Sequence, residues 1–509
     1  MSWKLTSNAF TICLCYALIS LLRTSLRFLK VRLALKHIAG PRPSSLLWGE
    51  EWLLYYSLPG SAYLSWHKEY GKVVKFTGAF GHQVLSITDP RAISFIIGES
   101  IYAFPKPNGV REWFRATLGE GILWVEGKTA HEKQRRILAP ALSQQSVRNL
   151  THIFHETSSK MASQWAVLFD RCHADKIEIE VTHWAGRFAL DTVGRAAFYY
   201  DFDCLSEGSH SLAEALDGLT NSENDSSSFY MRALFWIFPS VLSIGKKGQM
   251  IRLTKRELGA IASKMWRDAK IAGDERDRTL MALMLKADRA SGVGMKEEEI
   301  VSQMRSIISA GYETVSAVIA WTLYELSRDQ TLQSKLREEV RGATDATFDE
   351  LNSKYPLLDA VLKETLRLHP PILENHHEAS ETIIVPLSDP LPGTTEMHLV
   401  IPKGTTIVIP LNVIQTDEDV WGPDAELFLP QRWIERKKTG RELLAFSEGP
   451  RACIGKAFAL VEIKALVATL LLQYAFSCPY EIEPFQSFVI RPRVKGEGHS
   501  SLPLLVRKI

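Results

Sequence analysis

Residues 446–455 read FSEGPRACIG. One cysteine, Cys453, stands between Gly449 and Gly455, with Arg451 two positions before it and Phe446 opening the run. The next stretch, KAFALVEIKALVATLLLQ at 456–473, is apolar and rich in helix formers, so the cysteine falls at or just before a helix amino terminus. Unpaired N–H groups and the helix dipole at such a place favour a thiolate over a thiol. The glycines allow a flat ligand close to the backbone, and Arg451 suits a carboxylate at that ligand's edge. A lone cysteine is ordinarily a buried structural thiol. The spacing F-x-x-G-x-R-x-C-x-G shifts that balance, because chance supplies only about 10⁻⁴ such matches in a chain of this size.

This loop resembles the haem-binding signature of the cytochrome P-450 family of haem-thiolate monooxygenases, and the resemblance runs from about residue 40 to the end, with the overall look of fungal microsomal members. It implies iron protoporphyrin IX held by an axial thiolate from Cys453. Thiolate ligation pushes electron density onto iron and favours cleavage of an O–O bond. It also implies a mainly α fold with a smaller β portion: an N-terminal transmembrane anchor over 1–22, a basic linker and proline hinge over 23–45, and one large haem domain over 46–509.

Three further motifs agree with that resemblance. AGYET, residues 310–314, interrupts an apolar helical pattern with a glycine, which costs about 1 kcal/mol against alanine. Taken alone it reads as a helix packed through a small residue. As a relative of the family's oxygen-binding kink it assigns Ala310 and Gly311 to the oxygen site, Thr314 to a hydrogen bond there and Glu313 to a proton relay. KETLRLHPP places Glu364 and Arg367 on one helix face. It resembles the family's E-x-x-R motif, with Arg432 of FLPQRW as the third member of a network that fixes the cysteine pocket. Gln431 departs from the usual glutamate before that arginine. GKTAHEKQRRILAPALS, residues 127–143, resembles the helix that contacts the haem propionates. Arg135 fits it, while His131 stands where tryptophan is commonest and His377 where arginine is usual. Both histidines donate hydrogen bonds with a charge that depends on pH.

Composition bounds the rest. The chain has 509 residues, 46% hydrophobic and 23% charged, ample for a large core. A net charge of +2 argues against a general nucleic-acid binder. Six cysteines without a paired framework suit a reduced, cytosol-facing body. Residues 1–49 carry seven basic side chains and no acid, the mark of a membrane-facing terminus. LTSNAFTICLCYALISLL, residues 5–22, is uncharged and as a helix spans roughly 27 Å. A monotopic helix and a cleaved signal peptide are the rivals, the latter disfavoured because no A-x-A-like site follows. The expected location is the endoplasmic reticulum membrane with the body in the cytosol.

Along the body, 66–78 and 82–89 read as a helix end and a β-hairpin, 221–228 as a loop, 229–373 as helical, and 396–411 as a second hairpin around Lys403-Gly404. Helices and strands do not alternate, so a doubly wound sheet is not expected. GEGILW, residues 119–124, lacks the third glycine and the setting of a dinucleotide fingerprint. Electrons must therefore come from outside, and the resemblance implies NADPH–cytochrome P-450 reductase, with cytochrome b5 as an auxiliary donor. Lys133 and Arg136 offer a basic docking face, or a plain solvated one. By position in the family the substrate pocket draws on Trp113–Leu118, FYMRALFWIF at 229–238, Ile307, Ala310, Ile372–Asn375 and Arg493–His499. These are mostly apolar, so a lipophilic small molecule is expected, a terpenoid first, a fatty acid or xenobiotic otherwise. A haem-thiolate isomerase or peroxide-using enzyme, and a non-catalytic haem protein, are the alternatives.

Overall fold

The helix Glu297–Arg328 is the longest helix among the described residues. Its first turn carries Glu297, Glu298 and Glu299 and its last turn Arg328, each complementing the helix dipole. Glu299 accepts the Lys296 N–H at 2.9 Å, satisfying one orphan donor. The apolar spacing predicts one buried face, yet the helix is buried nearly all round: it packs against helices Val181–Phe198, Gly245–Ala272, Pro356–Leu368 and Lys456–Gln473. The computed structural model describes residues 19, 26–206, 211–220, 226–272, 280–289, 295–435 and 443–509. The anchor expected over 1–22 lies outside these apart from Ile19. Among the described residues no helix is long and apolar enough to cross a membrane.

The chain divides into two compact units. The first comprises Met1–Tyr56, Ala62–Pro107 and Asn375–Pro410. Strands β1 (Val73–Thr77) and β2 (Gln83–Ile87) form the expected hairpin, with Val73 opposite Ile87. Further along come β3 (Lys176–Glu180), β4 (Glu374–Glu378), β5 (Ile383–Pro386), β6 (His398–Ile401) and β7 (Thr406–Pro410). The sheet order is β1-β2-β7-β4, and β7 runs parallel to β2. This corrects the second hairpin: β6 pairs with β5 in a separate ribbon while β7 joins the larger sheet. Burial explains the parting. Every residue of β7 is buried, which suits an interior position, whereas β6 alternates exposed and buried, which suits an edge. Gly404, at φ +79°, turns the chain between them and donates to the Ala379 carbonyl at 2.7 Å.

The second unit comprises Ser57–Ser61, Asn108–Glu374 and Leu411–Ile509. It holds the helices and two small antiparallel sheets. β11 (Pro503–Lys508) lies between β3 and β8 (Tyr474–Ser477), and β9 (Ile482–Gln486) pairs with β10 (Ile490–Val494). Of the loop expected at 221–228, residues 221–225 fall outside the description and Ser226 already opens the helix Ser226–Leu234. Two apolar clusters fill this unit. One gathers the long helix from Val315 to Leu326, Gln144–Cys172 and Lys456–Gln473. The other gathers Ile300–Tyr312 with Leu258–Trp266 and Leu280–Leu285. Each fully buried leucine or phenylalanine contributes about 2–3 kcal/mol. The long helix thus passes from one core to the other between Tyr312 and Val315.

Candidate active site

The helix Lys456–Gln473 starts at Gly455, and its buried apolar face sets the cysteine loop against both cores: Ile454 packs on each of the two clusters. The Cys453 N–H donates to the Phe446 carbonyl at 2.8 Å, closing the loop. Gly449 has φ +69°, a conformation that side chains resist, and Ser447 two positions before it also has positive φ. A Cβ added at Gly455 would meet no atom within 4 Å, so open space borders this glycine. Cys453 is exposed on one side and crowded by protein on the others. Burial pushes its thiol up, against the pull of the Gly455 N–H, Arg135 and Lys456. In the free thiol, desolvation outweighs these three contacts. A bound metal cation removes the proton outright.

The loop is fastened from behind by a buried ionic cluster. Glu364 and Arg367, on the helix Pro356–Leu368, and Arg432 come together with side chains 0%, 0% and 3% exposed. One carboxylate accepts five bonds: Arg367 Nε and Nη2 at 2.8 Å each, and Arg432 Nε, Leu429 N and Trp433 Nε1 at 2.9 Å each. Asp424, 3.3 Å from Arg432, supplies the second negative charge and balances the cluster. Arg367 Nη1 donates to the Gln415 carbonyl at 2.7 Å, and the Gln415 side chain accepts from Leu444 N at 3.0 Å. Those bonds lead from the cluster to the residue two positions before Phe446.

His131 and Arg135 lie one turn apart on the helix Lys128–Leu138. His131 is buried, and Arg135 Nη1 donates to the Ala452 carbonyl at 2.8 Å. Arg451 reaches the Val125 carbonyl at 3.1 Å and the Glu126 carboxylate at 2.6 Å. Glu126 carries no pattern that sequence reading registers. Two positions before it, Trp124 Nε1 is a buried donor without an acceptor, as is Nε of Arg111, whose guanidinium lies 5.0 Å over the Trp124 ring. His377 sits on β4 in the first unit, its Nδ1–H donating to the Phe104 carbonyl at 2.9 Å.

Along the long helix, accessibility opens where the two cores change over. Ala310 is exposed and Gly311 and Thr314 are half-buried, in a helix otherwise buried around them. The missing Cβ of Gly311 faces Val193, 3.2 Å from its Cγ2, so this glycine serves helix–helix packing. The Thr314 hydroxyl donates to the Ala310 carbonyl at 2.8 Å. Glu313 points elsewhere, accepting from Arg491 Nη2 at 2.7 Å. Asp217 completes this group, 3.5 Å from Arg491 and accepting the Tyr312 hydroxyl at 2.7 Å. Burial works against the Arg491 charge, but Glu313, Tyr312 and Asp217 outweigh it and its pKa is raised; burial likewise lifts Tyr312 well above its usual value. Sequence reading missed Arg491 and Phe488; the Phe488 ring stacks on Trp113 at 4.4 Å and 13°.

A haem fits these residues. A sulfur ligand on an accessible side, an open glycine beside it, Arg451 on the same loop, Arg135 bonded to that loop and the orphaned buried donors of Trp124 and Arg111 match a flat iron porphyrin with two carboxylates.

The comparisons agree with the geometry. The family model described as Cytochrome P450 matches residues 39–495. "Cytochrome P450 monooxygenase claP" of Ampulloclitocybe clavipes is 33% identical over 500 residues, 93% of either chain. "Cytochrome P450 monooxygenase claO" of the same fungus is 34% identical over 503 residues, again 93% of each. "Cytochrome P450 monooxygenase 205" of Postia placenta is 31% identical over 516 residues, 93% of each. Proteins of this family bind haem through a cysteine thiolate and generally take electrons from a redox partner to oxidise lipophilic substrates. The chain therefore belongs to the cytochrome P450 family, as a haem-binding oxidoreductase of the monooxygenase kind.

Proposed function

We propose that the chain inserts one oxygen atom of O2 into a lipophilic small molecule of secondary metabolism, the other leaving as water, with electrons from NADPH through a separate reductase. The observation that carries this reading is Cys453, exposed on one side of a loop held by Phe446 and, through Gln415, by the Glu364 cluster. Haem, when bound there, supplies oxygen activation.

In this reading Cys453 would hold the haem iron through its sulfur, and Arg135, Arg451, His131 and His377 would donate to the haem carboxylates. Thr314 has committed its proton to Ala310, so the lone pairs of its oxygen accept a hydrogen bond from a protonated group beside it. Glu313 moves protons only when its contact with Arg491 loosens, which makes that pair a brake on the relay. Trp113, Phe488 and Ile307 supply apolar surface for the substrate, with a terpenoid as the preferred class. Lys133 and Arg136, both exposed, supply a basic face for an acidic electron donor, cytochrome b5 included. An anchor over 1–22 would hold the protein on the endoplasmic reticulum, the body in the cytosol.

The test is expression of the full chain with a reductase in microsomes, with metabolite profiling and the reduced carbon-monoxide spectrum. Wild type shows the Soret band of thiolate-ligated haem and NADPH-dependent product; Cys453→Ala loses both. A retained band in that variant removes Cys453 from its role. Product formed from peroxide but never from NADPH and reductase replaces the reading with the peroxide-using one.

A further inference from the structure

Outside the cysteine site, the helix Gly245–Ala272 presents Arg252, Lys255, Arg256, Gly259, Ala260 and Ser263, which line a groove together with Arg305 of the long helix. The spacing from 252 to 263 keeps these residues on one helical face. The small ones form a floor across which Arg305 lies. A Cβ added at Gly259 would stand 2.5 Å from Arg305 Nη2, so glycine is what admits the guanidinium. The groove holds about 460 Å³, room for a phosphate and a short substituent.

The charges do not cancel. Arg305 is only 9% exposed; its Nη1 pairs with Glu298 at 3.0 Å, while its buried Nε has no acceptor. Lys255 donates to the Arg115 carbonyl at 3.0 Å, and Arg252 to the Ser243 carbonyl at 2.7 Å. Arg256 pairs with Glu257 at 3.0 Å. Four lining cations thus face Glu298, Glu257 and the more distant Glu120. The Lys255 ammonium is held below its ordinary range by burial first and by Arg305 next, with Glu298 pulling the other way. Guanidinium forks that line one groove, with the Arg305 Nε donor unused, match a tetrahedral oxyanion.

We propose that this groove is a binding site for a phosphate-type oxyanion, whether free phosphate or the headgroup of an anionic phospholipid, with Arg305 as its buried donor and Arg252, Lys255 and Arg256 as its rim. The site is separate from the chemistry at Cys453 and does not depend on it.

The test uses the haem-loaded full chain and the Arg252→Gln/Arg256→Gln double variant, whose changes are exposed and outside the catalytic machinery. Inorganic phosphate should stabilise wild type saturably in thermal unfolding, sodium chloride at equal ionic strength should not, and the variant should need about tenfold more phosphate. Arg305→Gln should abolish the effect if it folds; the surface variant decides the matter if it does not. Co-sedimentation with phosphatidylcholine vesicles, with and without phosphatidic acid, separates the sources. Extra binding that requires phosphatidic acid and falls in the variant assigns the headgroup, and its absence assigns free phosphate. No saturable phosphate effect together with no phosphatidic-acid dependence overturns the site, as does an equal response of wild type and variant.

Discussion

Arg491 Nη2 lies 2.7 Å from Glu313 Oε2, and the two side chains are 4% and 1% exposed. Such a pair is costly to bury and costlier to break, because the survivor keeps its charge without a partner. Arg491→Leu and Glu313→Gln should each lower stability by about 3–5 kcal/mol, and the double change should cost less than the sum. Chemical denaturation of the four proteins measures this; additive losses would show that the pair is not coupled.

Thr314 should affect coupling and leave folding intact. Thr314→Ala removes a half-buried hydroxyl whose partner, the Ala310 carbonyl, keeps its helical bond, so stability should change by no more than about 1 kcal/mol. Haem content should be unchanged while NADPH consumption outruns product. Unchanged product per NADPH would take Thr314 out of the relay.

Glu364→Gln should be severe at a distance. It leaves Arg367 and Arg432 buried beside a weaker acceptor, at a cost of about 3–5 kcal/mol. Since the Arg367–Gln415–Leu444 bonds run to the cysteine loop, the surviving protein should also carry less haem per chain, read from its absorbance. A variant that melts lower yet binds haem fully would confine the cluster to stability.

The first unit should loosen in acid. Burial, the leading cause for both, lowers His67 and His82 to about 4 from the ordinary 6.5. In the native state the Nδ1–H of His67 donates to the Gly71 carbonyl at 2.8 Å and its Nε2 accepts from Ser86 at 2.7 Å, an arrangement that needs the neutral ring. Between those values the unfolded chain binds the more protons, so stability rises with pH through the window and is lost as pH falls from 6.5 to 4. The loss is about 3 kcal/mol for each histidine. Amide exchange on β1, β2 and β7 should accelerate across that range, and less so in His82→Gln. A flat profile would show that neither ring titrates with unfolding.

The chain's own order of residues determined whatever is local: the cysteine between its glycines, the helix after it, the Glu364–Arg367 pairing one turn apart, the β1–β2 hairpin and the helical run through 310–314. These depend on backbone spacing of a few residues, which periodicity reports directly. What joins distant segments belongs to the tertiary structure. Glu126 meets Arg451 across 325 positions and Glu313 meets Arg491 across 178; no motif marks Glu126, and the motif that marks Glu313 does not point to its partner. The same holds for the divergence of β6 and β7, since a strand's partner is chosen by which face and edge are buried. The surroundings of Cys453 are also set there: a helix terminus by itself favours sulfur's charge, while desolvation in the packed loop opposes it, and that opposition exists only once distant segments are brought together.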